Sequence, residues 1–218
     1  MPEPDDTTAD SDASGNGDTN ATTNTESTLV MTPGRLEAFS DAVIAIAITI
    51  MVLELRVPHR ATIHALRPLV PVFLSYVLSF VYLGIYWNNH HHLIKRTNEV
   101  TGGILWANLH LLFWLSLFPF ATAWLGENDF ATTPSAFYGV VMLFAAIAYY
   151  ILQTTIVAHQ GRDSALARAL GSDWKGKLSP ALYLAAIGLA FVSQWIALTV
   201  YVLVALMWLV PDRRLERL

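Results

Sequence analysis

Residues 178–210 run for 33 positions without a Lys, Arg, Asp or Glu. Few structures accept such a run. Inside hydrocarbon, backbone N–H and C=O groups have no solvent partner, so a crossing segment must satisfy them itself, as a helix or in a closed barrel. A lipid-facing barrel strand alternates apolar and polar residues over segments of about ten. This run is continuously apolar, so it reads as helix. About 20 residues at ~1.5 Å each cover a hydrocarbon layer of roughly 30 Å. Thirty-three residues exceed one span, and Ser193-Gln194 divides them. The run therefore predicts a tight hairpin, 178–192 and 195–210.

The same reasoning applies upstream. Residues 35–55 have an uncharged core, 42–53, with Pro33-Gly34 before it and Pro58 beyond. Residues 68–94 carry Tyr82, Tyr86 and Trp87 near one end, the position of an interfacial aromatic belt. Residues 104–125 are closed by the polar stretch 126–129, and residues 135–157 are nearly all apolar. The sum is an all-α integral membrane protein, with six transmembrane helices in residues 34–218.

Charge separates this region from what precedes it. Residues 1–34 hold seven acids and no Lys or Arg, whereas the rest of the chain holds ten acids and thirteen bases. Residues 1–33 are rich in Asp, Thr, Ser, Asn and Gly, too polar to bury enough surface to offset ordering entropy. They are expected to form a disordered acidic tail; a start at Met31 would remove it. No basic-then-apolar signal peptide is visible at the N-terminus. The absence of cysteine excludes disulfides, thiolate metal sites and a Cys nucleophile.

Lys and Arg set the expected orientation. With six helices, ten bases (Arg35, Lys95, Arg96, Arg162, Arg168, Lys175, Lys177, Arg213, Arg214, Arg217) share one side, and Arg56, Arg60 and Arg67 lie on the other. This places both termini in the cytoplasm and the protein in the cell membrane. The polar loop 162–177 is expected to lie along the inner headgroups, where each base is worth about 1 kcal/mol near anionic lipid.

The first helix has two different faces. At about 100° per residue, Phe39, Ile46, Ile50 and Leu53 share a stripe, with Thr49 at its margin. Asp41 lies on roughly the opposite face. The stripe meets lipid, or copies of it surround a pore and gate it by dewetting. Asp41 and Glu54 flank the apolar core, and an ionisable group in hydrocarbon costs roughly 2.5–3.5 kcal/mol at mid-depth, less near the interface. For Glu54 a headgroup position is the favoured reading. Asp41 fits either a structural polar network or a water-lined site.

Arg35-x-x-x-Phe39-Ser40-Asp41 resembles the signature of the transmembrane protein 175 family of potassium channels. Trp87-Asn-Asn-His90 resembles the family's W-x-x-H. Asn108-Leu109 with Phe118-Pro119-Phe120 resembles its N-L then P-F pattern, and residues 201–214 are similar to prokaryotic members. The resemblance spans residues 35–214. It implies one six-helix unit per chain, a homotetramer with helix one lining a central pore, and passive, potassium-preferring cation conduction without a Thr-Val-Gly-Tyr-Gly filter. It implies a constriction at Ile46, Ile50 and Leu53 and a selectivity role for Thr49. It also implies a structural polar network of Arg35, Phe39, Ser40 and Asp41, with His90 and Asn108 as candidate partners. No cofactor beyond permeant K+ is expected; the expected partners are lipid, monovalent cations and three further copies.

Other motifs carry less. Three consecutive histidines, 90–92, point about 100° apart on a helix and cannot all hold one ion. The second helix has no His pair at the better spacing of four, so no metal site is expected there or with His110. No nucleic-acid module and no G-x-S-x-G or H-E-x-x-H motif occurs, so an enzyme is not expected. The alternative to a channel is an ion-coupled secondary transporter using Asp41 or His90 as proton carrier. Such proteins usually show repeats and broken midplane helices; no convincing repeat is visible, and helix one reads as unbroken.

Overall fold

The computed structural model describes residues 31–209, apart from 162 and 172. The expected tail lies almost wholly outside them, as do Arg162, Arg213, Arg214 and Arg217. The first helix, α1 (Pro33–Leu53), starts where the Thr32 hydroxyl accepts the Arg35 N–H at 3.3 Å, with Pro33 in the first turn, where its missing N–H costs nothing. A 3₁₀ segment (Ile63–Leu69) leads into α2 (Val70–Lys95).

The third apolar run, expected as one helix, is two: α3 (Gly102–Ser116) and α4 (Phe118–Glu127). Leu117 ends one and starts the other. Pro119 is the physical cause, because it lacks an N–H and its ring clashes with the carbonyl four residues back. After a turn with Asp129 and Phe130 at positive φ comes α5 (Thr132–Gln160). The Phe130 backbone is held by two bonds: its N–H donates to the Leu125 carbonyl and its carbonyl accepts the Ser135 hydroxyl.

A short α6 (Ala165–Leu170) precedes α7 (Trp174–Ala190) and α8 (Gln194–Leu209). α7 begins four residues before the expected 178, because Asp173 caps it by accepting the Gly176 N–H at 2.9 Å. Lys175, counted with the headgroup bases, is instead buried, its ammonium 6.0 Å from the Trp208 ring.

Among the described residues, four apolar helical stretches are long enough to cross a membrane: Pro33–Leu53, Ile63–Lys95, Gly102–Glu127 and Thr132–Gln160. α7 and α8, at 17 and 16 residues, are shorter. No strand occurs among the described residues.

The interior is polar where helices meet. Ser79 is hydrogen-bonded to Tyr138 at 3.0 Å and accepts the Thr122 hydroxyl at 2.6 Å, joining α2, α4 and α5. Tyr82 donates to the Tyr201 carbonyl and Tyr201 donates to the Ser135 carbonyl, tying α8 to α2 and α5. Without water nearby, each hydroxyl needs such a partner. Glycine permits the closest approaches. A Cβ at Gly139 would collide with the Tyr201 hydroxyl, and one at Gly126 with the α2 backbone at Val72.

Candidate functional site

α1 packs one stripe against the rest of the chain: Leu36, Ser40, Ile44, Ala47 and Met51, spaced by three and four. That face meets α2, α3 and α4. A neighbouring stripe, about a third of a turn round the helix, is left bare. Phe39 is 47% exposed, Ile46 56%, Ile50 42% and Leu53 76%. Apolar residues recurring along one side of a helix, turned away from their own chain, require a cover of lipid or protein. Thr49 lies on this bare side, and its hydroxyl donates to the Ile46 carbonyl at 3.0 Å. Its proton is thereby occupied, and the oxygen lone pairs remain available outward.

At the N-terminal end of α1 the packed stripe turns polar. Ser40 donates to the Leu36 carbonyl at 2.8 Å. Its oxygen accepts the Asn108 amide at 2.9 Å, and the Asn108 carbonyl oxygen lies 2.7 Å from His90 Nε2. The amide oxygen only accepts, so His90 carries its proton on Nε2. The three bonds then run in one direction, from α2 through α3 to α1, and end on a backbone carbonyl. All three side chains are fully buried. His90 Nδ1 is buried and makes no hydrogen bond.

One position along each helix, a second set of contacts sits nearer the surface. Trp87 Nε1 donates to Asp41 at 3.0 Å. The Trp87 ring stacks on His91, with centroids 5.7 Å apart and planes at 29°. His91 Nδ1 lies 2.6 Å from a Glu37 carboxylate oxygen, without forming an aligned hydrogen bond. The donor atoms of Glu37, Asp41 and His91 fall within 4.8 Å of one another.

The structure thus joins Ser40, His90 and Asn108, and pairs Asp41 with Trp87. Arg35 and Phe39, expected in the same network, stand apart. The Arg35 side chain is exposed, and its backbone N–H is held by the Thr32 cap; Phe39 has no polar side-chain atom and lies on the bare stripe. Glu54 is exposed at the other end of α1. His110 accepts the Trp114 indole within its own helix at 3.0 Å, away from the other histidines' contacts. Glu37 and His91 did not stand out in the sequence as partners. Their signal is a matched spacing: 37 and 41 on one helix, 87 and 91 on the next, each pair four apart and so on one face.

Comparison with known proteins identifies relatives of the whole membrane region. Residues 35–119 match the family model for the endosomal/lysosomal potassium channel TMEM175. A potassium channel of a Chryseobacterium species is 53% identical over 187 residues, which cover 86% of this chain and 97% of that one. A potassium channel of Streptomyces collinus is 34% identical, covering 79% and 89%. Among solved structures, a lysosomal potassium-selective channel TMEM175 homolog from Chamaesiphon minutus superposes with a TM-score of 0.70 at 30% identity, covering 81% of this chain and 95% of that one.

Proposed function

The chain belongs to the endosomal/lysosomal potassium channel TMEM175 family, and on that premise we propose that it conducts potassium passively where the α1 helices of four copies meet. It is a membrane protein of a channel family, not of an enzyme family. In this reading α7 and α8 complete six crossings, and both termini lie in the cytoplasm of a cell whose plasma membrane holds the protein. The observation that carries the reading is the bare apolar stripe of α1, beside a face packed and hydrogen-bonded within the chain. Four such stripes around an axis cover one another. They also place Ile46, Ile50 and Leu53 where a passing ion must go.

An apolar ring offers a cation nothing to replace its water, so a narrow ring dewets and closes the path. Widening it readmits water without any covalent step. Thr49 lies one residue from Ile50, with lone pairs available outward, and four such oxygens form a partial substitute for hydration. A few hydroxyls, rather than a carbonyl cage, fit a preference for K+ over other monovalent cations. No cofactor is needed. Secondary transport with His90 as proton carrier is less well supported, because its Nε2 proton feeds a chain that stops at the Leu36 carbonyl.

The test is ion flux in liposomes and recording in planar bilayers with purified protein. Current reversing near the potassium potential is expected. Ile46→Asn and Leu53→Asn should each raise conductance severalfold by wetting the constriction. Unchanged current in both variants contradicts the pore assignment, and a monomer by native mass spectrometry contradicts the assembly.

A further inference from the structure

Glu37, Asp41 and His91 converge at the surface end of the contact between α1 and α2. His91 Nδ1 is closed off from solvent and makes no hydrogen bond, yet lies 2.6 Å from a Glu37 oxygen. An imidazole nitrogen and a carboxylate oxygen this close pair through a proton, and a metal ion can take that proton's place. The Asp41 carboxylate uses one oxygen on the Trp87 indole, leaving the other available.

The residue types narrow the cation. An imidazole with two carboxylates suits transition metals of the zinc class better than calcium or magnesium, which prefer all-oxygen shells. Zinc sits about 2.0–2.2 Å from such ligands. Two ligands at a tetrahedral angle are therefore roughly 3.3–3.5 Å apart. The donor atoms here lie within 4.8 Å of one another, so side-chain rotations of little more than an ångström complete the set. Three protein ligands and one water make up the usual four. Trp87 acts on two of the three, donating to Asp41 and stacking on His91, which is how outer groups orient metal ligands.

We propose that Glu37, Asp41 and His91 bind one divalent transition-metal ion per chain, clasping the N-terminal turns of α1 to the C-terminal turns of α2. The site is built within one chain, so it does not depend on the tetramer or on conduction.

The full-length protein, purified in detergent and stripped with a chelator, should bind one Zn2+ per chain by isothermal titration calorimetry. Its unfolding temperature should rise with Zn2+, as expected when a ligand binds only the folded state. Glu37→Gln and His91→Gln should each weaken binding by at least about tenfold, and Trp87→Phe, which keeps all three ligands, by roughly 10–100-fold at most. His64→Asn, at an exposed site elsewhere, should leave affinity unchanged. Absence of saturable Zn2+ binding, or affinity in the Glu37 and His91 variants unchanged from that of the unaltered protein, overturns the proposal. Co2+ gives a check on the unaltered protein: ligation changes its visible absorption, and a spectrum identical to that of aqueous Co2+ also overturns it.

Discussion

Two clusters link α1 to α2, and they differ in nearly every physical respect although their residues are sequence neighbours. Ser40 and His90 belong to the inner cluster; Asp41 and His91 belong to the outer one. The inner cluster is neutral, fully buried, and hydrogen-bonded through Asn108 of α3 in a single direction. The outer cluster carries carboxylates, is half-buried, and leaves the Glu37–His91 contact without an aligned hydrogen bond. A step of about 100° on each helix is enough to pass from one regime to the other. Neutral groups that donate and accept in sequence survive burial because no charge is desolvated, whereas carboxylates stay where water, or a cation, still reaches them. One cluster therefore joins the helices through neutral hydrogen bonds, and the other through charged contacts nearer water.

That contrast breaks most visibly at Asn108. Asn108→Leu leaves the His90 N–H and the Ser40 oxygen without partners, and two stranded buried groups cost about 2–4 kcal/mol together. The loss should appear as a lower unfolding midpoint in detergent titration. Ser40→Ala strands only the Asn108 amide and should cost about 1–2 kcal/mol by the same measurement. Equal losses from the two substitutions would show that the cost does not follow the number of stranded groups. Glu37→Gln, in the outer cluster, should change metal-free stability by at most about 0.5 kcal/mol, with any effect shrinking as salt is raised. A salt-independent loss as large as that of Ser40→Ala would place the outer cluster in the same class as the inner one.

Much of this was legible in advance. The charge-free runs at residues 178–210 and 135–157 admit no other element than helix, and α5, α7 and α8 lie there. The apolar stripe of α1 follows from spacing alone, and the structure leaves that stripe bare. Ser40, His90 and Asn108 came from a resemblance, not from periodicity, because a Ser, a His and an Asn on three helices have no local pattern in common. The break at Leu117 was in principle readable from Pro119, but its neighbours are so apolar that hydropathy reads through it. The burial of Lys175 was not readable, since it depends on Trp208, 33 positions away.

By itself, the sequence determined that apolar helices must form and which side of α1 is greasy, because backbone satisfaction and helical period are local properties. Only the tertiary structure decided which polar residues meet. The angle and depth at which α1, α2 and α3 pack put Asn108 between Ser40 and His90, and set His91 against Glu37. Those are contacts between distant segments, and a hydrogen bond or a ligand set depends on distances of an ångström that no spacing along one helix encodes.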